Sequence, residues 1–138
     1  MQVALIGATG FVGAALLQEL LQRGHEVVAL VRDPAKLAVR PGLHVVQADV
    51  MDASAVEAAV RDSDAVLSAY NAGWANPNIY EDFMRGSRAI VQGVKAAGVK
   101  RYLVVGGAGS LYVCRTRCAD RGYPRIPGCD QARRQRCA

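Results

Sequence analysis

The first 113 residues of this 138-residue chain contain no cysteine; all four (Cys114, Cys118, Cys129, Cys137) fall in the last 25. Any metal or disulfide cluster built from cysteine is therefore confined to the tail. No apolar stretch reaches the roughly 18 residues of a spanning helix, so no membrane partner is expected. Met1-Gln2-Val3 runs straight into an apolar segment, without the basic and apolar regions of a secretion signal, and a cytoplasmic location is the expectation. Residues 1–113 also lack net charge, with ten basic and ten acidic side chains. The last 25 residues lack Lys, Glu, Leu and Val and carry seven arginines against two aspartates, which is the whole of the chain's +5. The basic character thus belongs to the tail. The expected division is one domain over 1–113 and a segment of different composition over 114–138.

The first part is rich in apolar residues arranged in alternating strand and helix patterns. Gln2–Ile6 reads as a strand, Phe11–Arg23 as a helix closed by Gly24, and His25–Val31 as a second strand. Asp33 caps a short helix that starts at Pro34 and runs to about Val39. Leu43–Ala48, Ala65–Ala69 and Arg101–Val105 read as further strands. Between them lie helices over Ala53–Val60, with Val56 and Val60 on one face, and over Asn78–Ala97, closed by Gly98. This alternation predicts an α/β fold: a Rossmann-type, doubly wound parallel sheet of order 3-2-1-4-5, incomplete at its C-terminal side. A ligand would lie beyond the carboxyl ends of strands one and four, where the order reverses.

Gly7-Ala8-Thr9-Gly10-Phe11-Val12-Gly13 links the first strand to the first helix. Glycines let a backbone turn tightly and approach a pyrophosphate, because no Cβ stands in the way. The free N–H groups at the helix start favour an anion. Gly7, Thr9, Gly10, Phe11 and Val12 are the candidate pyrophosphate residues, while Gly13 suits close helix–sheet packing. The bland alternative is a tight turn with no ligand.

Strand two ends in Val31-Arg32-Asp33. An acidic side chain there suits the ribose hydroxyls of NAD, and an arginine suits the 2′-phosphate of NADP. Asp33 is committed to capping, so Arg32 favours NADP, with NAD the alternative. Asp49 can accept from an adenine amino group, and Val50 can pack on its ring; a capping role is the plain reading of Asp49. Ala69, Tyr70 and Asn71 stand at the end of strand four, where the nicotinamide ribose would lie. Tyr70 and Trp74 could wall a flat-ring pocket or simply pack. Gly106 begins a second glycine turn, expected to close the far side of the crevice as a cofactor-binding residue.

Together with Gln47-Ala48-Asp49-Val50, Ser68-Ala69-Tyr70-Asn71 and Val99-Lys100-Arg101-Tyr102-Leu103-Val104-Val105-Gly106-Gly107-Ala108-Gly109-Ser110-Leu111, these motifs resemble an atypical short-chain dehydrogenase/reductase. The resemblance points to the NmrA-like, NADH-flavin-reductase-like branch, grouped with NAD(P)-dependent epimerase/dehydratases, and covers about 1–113. It implies an NAD(P)-binding Rossmann domain and reduction of a flavin or another aromatic acceptor as a small-molecule substrate. Ser110 is the weak catalytic candidate, matching the superfamily serine. The partner pair Tyr-x-x-x-Lys is missing: Thr116 stands four positions after Tyr112, and Pro127 four after Tyr123. That keeps a second class open, a non-catalytic NAD(P)-sensing regulatory protein.

Three readings compete for 114–138. The cysteine spacing fits no common zinc site. An arginine-rich nucleic-acid tail would lack interleaved aromatics and Lys, and nucleic acid is disfavoured as a partner. The third is translation out of frame. Residues 121–128 can be encoded so that a one-base shift reads Glu-Asp-Thr-Pro-Gly-Phe-Pro, the kind of segment the resembled family carries after its second glycine turn. On this reading the protein is truncated, and inactivity through that truncation is an expectation.

Overall fold

The computed structural model describes residues 1–106. The elements are β1 (Gln2–Ile6), α1 (Phe11–Gln22), β2 (Glu26–Val31), β3 (Leu43–Gln47), α2 (Ala53–Val60), β4 (Ala65–Ser68), α3 (Ile79–Ala96) and β5 (Tyr102–Val104). A 3-10 turn at Pro34–Lys36 lies between β2 and β3. The strands pair in parallel in the order β3-β2-β1-β4-β5, as the alternation predicted. In register, Ile6 lies beside Leu30 of β2 and Ser68 of β4. The three loops that follow β1, β2 and β4 thus leave from neighbouring points on the carboxyl edge.

The central strands are apolar almost throughout because both faces are covered. On one face Ala4, Ile6, Val28, Leu30 and Val66 pack with Val56 and Val60 of α2 and Ile90 and Val94 of α3. On the other, Leu5, Val27, Ala29 and Val31 pack with Leu17 of α1. Burying each Val, Leu or Ile contributes about 1.5–3 kcal/mol over leaving it exposed. The α2–α3 contact is close because Gly93 has no side chain; a Cβ there would lie 2.6 Å from the Ala53 carbonyl oxygen.

The differences from the sequence expectation are local. α1 stops at Gln22, and Gly24 (φ +73°) turns the chain, donating from its N–H to the Leu21 carbonyl. The helix expected to reach Val39 is only the turn at Pro34–Lys36. Leu37 packs against the core just after that turn, but Val39 is 96% exposed, so a further turn would bury no more apolar surface. At the far edge, Leu103, Val104 and Val105 are each about half exposed.

Candidate functional site

The turn after β1 is built by exclusion of side chains. Gly7 has φ +85°, and a Cβ there would lie 2.6 Å from the carbonyl oxygen of Ala69. Gly13 is tighter, because its Cβ would fall 1.9 Å from the Gly7 carbonyl oxygen. Its small size therefore seats α1 on the turn itself, a narrower role than the helix–sheet contact expected. Ala8 is fully buried and anchors the turn in the core. Gly10 donates to the Gly7 carbonyl at 3.0 Å and, with extended backbone, caps α1 without a side-chain bond.

The ladder of α1 opens with the Ala14 N–H on the Gly10 carbonyl at 2.8 Å. The N–H groups of Phe11, Val12 and Gly13 precede it, and helix geometry offers them no intrahelical acceptor. No acidic residue occupies this first turn. Donors at the positive end of a helix dipole, behind an exposed glycine cap, fit a pyrophosphate. Thr9 is exposed and its hydroxyl bonds to no other described residue. Phe11 is 98% exposed and Val12 43%.

Arg32 is exposed beyond β2; its carbonyl accepts from the Gln47 side chain at 3.2 Å, and its guanidinium pairs with no acid among the described residues. Asp33 is engaged as the capping argument requires, accepting from the Ala35 N–H at 3.1 Å and lying 4.0 Å from the Lys36 ammonium. Asp49 is exposed and accepts from the Met51 N–H at 2.9 Å, while Asp52 caps α2. Asp49 therefore closes a turn and leaves its other oxygen open. Val50 is 8% exposed and belongs to the core, so its side chain offers little surface to a ring.

Ala69 continues the β1–β4 pairing, its N–H donating to the Ile6 carbonyl at 2.9 Å. The Tyr70 ring stacks on Phe83 of α3 with centroids 5.8 Å apart and planes at 9°. Its hydroxyl donates to the Asp82 carbonyl at 3.1 Å. Burial, then the Asp82 carboxylate, raises the Tyr70 phenol above its ordinary range; Asp49 adds to this, and Arg32 and Arg85 oppose it. Because the strands are parallel, the ends of β2, β3 and β4 lie along the same carboxyl edge of the sheet. Asn71 is exposed and holds the Gly73 N–H at 2.7 Å. Trp74 does not pack; it is 89% exposed. Gly106 is the last described residue, and Ser110 lies outside the described residues, as does the whole of 114–138.

Phe83, Gly86, Asn76 and Asp82, which hold Tyr70 and its loop, were not singled out from the sequence. The available signal was Gly86 in mid-helix, a position where glycine is costly unless something approaches closely. A separate groove of about 740 Å³ opens between α2 and β3, lined by Val46, Ala55, Ala58 and Ala59 with the exposed His44–Glu26 pair near the strand starts. Along β3 it reaches Gln47 and Ala48 at the carboxyl end, but it contains none of the glycine-turn residues.

Residues 7–121 match the family described as NAD(P)H-binding. The match runs eight residues past the boundary expected at 113. An uncharacterised Bacillus subtilis protein, YwnB, is 35% identical over 113 residues, covering 82% of this chain and 50% of that protein. A solved structure from Bacteroides thetaiotaomicron, provisionally described as an epimerase, is 44% identical with a TM-score of 0.73, covering 90% of this chain and 56% of that one. The Bordetella bronchiseptica enzyme WbmH, solved with NAD+, is 25% identical with a TM-score of 0.62, covering 73% and 37%. The chain spans about half the length of the Bacillus and Bacteroides relatives.

Proposed function

The chain belongs to the NAD(P)H-binding family of short-chain dehydrogenase/reductase-like proteins, and from that premise we propose that it is an oxidoreductase-type protein using NADP(H) in preference to NAD(H). The observation that carries the cofactor class is the side-chain-free cradle of Gly7, Gly10 and Gly13 beneath the unpartnered first turn of α1. Thr9, Gly10, Phe11 and Val12 would hold the pyrophosphate, Arg32 the 2′-phosphate and Asp49 the adenine edge. Ala69, Tyr70 and Asn71 would border the other half. When bound, the nicotinamide supplies or accepts a hydride. Arg32 supports the NADP preference, being a cation without an acidic partner among the described residues where the ribose would lie.

A flavin or another aromatic acceptor is the proposed small-molecule substrate. The test is anaerobic oxidation of NADPH with riboflavin phosphate or a quinone as acceptor, beside calorimetric titration of NADPH and NADH. Turnover with tighter NADPH binding supports the reading; NADH binding more tightly overturns the preference. Binding without turnover of any acceptor favours the second reading, a non-catalytic NAD(P)-sensing protein. The chain has no Tyr-x-x-x-Lys pair, and Tyr70 has its hydroxyl committed to Asp82, which supports keeping that reading in view.

No helix among the described residues is long and apolar enough to cross a membrane, and a cytoplasmic location is proposed. For 114–138 the proposal remains a segment read out of frame. Its concentration of arginine and cysteine supports this, and the encoding nucleotide sequence tests it.

A further inference from the structure

The segment between β4 and α3, residues 69–78, is fixed by contacts that reach far along the chain. At its start the Gly7 turn lies against the Ala69–Tyr70 peptide, with room for no side chain. One residue on, the Tyr70 ring is laid flat on Phe83 and its hydroxyl reaches the Asp82 carbonyl. Gly86, one helical turn beyond Asp82, forms the recess for that hydroxyl; a Cβ there would lie 2.5 Å from the phenol oxygen. At the far end Asn76 donates to the Asp82 carboxylate at 2.7 Å and accepts from the Asn78 N–H at 2.9 Å.

We propose that Tyr70 is a positioning residue: held between the Gly7 turn and the recess at Gly86, it sets where residues 69–78 stand and so shapes the half of the crevice that receives the nicotinamide end. This rests on the dinucleotide reading. With strand order 3-2-1-4-5, the adenosine half extends from the Gly7–Gly13 cradle toward Arg32 and Asp49 at the ends of β2 and β3. The other half must pass beyond β4, where Tyr70 is the first side chain after the cradle contact. Its hydroxyl hydrogen is engaged by a helix carbonyl, so the role is one of geometry and not of proton transfer.

Two variants approach this contact from opposite sides. Gly86→Ala removes nothing and improves helix propensity, but its methyl group displaces the phenol. Tyr70→Ala removes the ring. Each is titrated with NADPH and with adenosine 2′,5′-bisphosphate, which carries only the adenosine half. Both variants should bind NADPH about tenfold more weakly while holding the bisphosphate within about twofold of the parent, and Tyr70→Phe, which keeps the ring, should lose at most about threefold on NADPH. NADPH bound at the parent's affinity by either folded variant, or parallel loss of both ligands, overturns the proposal. If Tyr70→Ala fails to fold, Gly86→Ala decides. A parent protein that binds neither ligand overturns the dinucleotide reading instead.

Discussion

At the β2 end of the crevice, Arg32 extends into solvent and Asp33 is tied only to its own turn. At the β4 end, Tyr70 is gripped by Phe83, the Asp82 carbonyl and the recess at Gly86. The first end is made of neighbours in sequence: Asp33 acts on Ala35 and Lys36. The second joins residues twelve or more apart, and through Gly7 it joins the two central strands. The β2 end therefore carries chemical selectivity with little geometry of its own. Ordering a long exposed side chain such as Arg32 on a ligand costs roughly 1.5–2 kcal/mol. The β4 end carries geometry in advance, since Tyr70 is already stacked and bonded.

The substitution expected to do most acts on the turn that supports the β4 end. Gly13→Ala would set a Cβ 1.9 Å from the Gly7 carbonyl oxygen, and both partners are backbone. α1 and the turn would have to separate, and the turn also supports the Ala69–Tyr70 peptide. A stability loss of about 3 kcal/mol, at the upper end of overpacking costs, is expected in urea unfolding. An unchanged unfolding midpoint would show that the turn yields more easily than its contacts indicate.

Gly10→Val separates binding from folding. A Cβ at Gly10 meets only the Gly7 carbonyl oxygen, at 3.3 Å, and the backbone there is already extended. The rest of the valine side chain would stand over the first turn of α1, where the pyrophosphate must come. The stability loss should stay near 1 kcal/mol, while dinucleotide affinity falls by about a hundredfold or more. Binding at the parent's affinity, read by calorimetry, would make this turn structural alone.

The same contrast explains what could be read in advance. The strand order followed from alternation of apolar runs with helical periods, because each run is short, continuous and separated by glycine or proline turns. The cradle was legible because its glycines, strand and helix are contiguous. Asp33 was legible as a cap because capping acts over two or three residues. Tyr70 was named only from its position after the fourth strand. Its partners Phe83 and Gly86 were not, since a stacking contact across thirteen residues leaves no local pattern. Val50 was assigned to a ring by its place after Asp49, yet its side chain turns into the core beside α2, a choice made by tertiary packing. The short helix drawn to Val39 failed for the same reason: Leu37 meets the core just after the single turn, while Val39 stays exposed.

Arg32→Ala should remove the selectivity of the β2 end and leave the β4 end untouched. The expected loss for NADPH is about 1.5–3 kcal/mol, the scale of a hydrogen bond to a charged group, with NADH affinity unchanged. Titration of both cofactors checks it. Equal losses for the two would mean that Arg32 serves the shared part of the dinucleotide and reads no 2′-phosphate.

Asp33→Ala should do least, and it tests whether Asp33 is only a local cap. Its carboxylate is engaged by the Ala35 N–H and faces the Lys36 ammonium across 4.0 Å. Both are exposed, so the ion pair contributes little and the cap dominates. Removing it should cost up to about 1 kcal/mol of stability, confined to a three-residue turn. NADH affinity should stay within about twofold, because a carboxylate held by its own turn is not presented to a ribose. NADPH affinity should hold or rise slightly, since a negative charge leaves the neighbourhood of the 2′-phosphate. A tenfold fall for NADH with no change for NADPH would reverse the assignment. Asp33 would then be the ribose acceptor, its turn would open on binding, and the β2 end would select NAD by a contact that forms only when the ligand arrives.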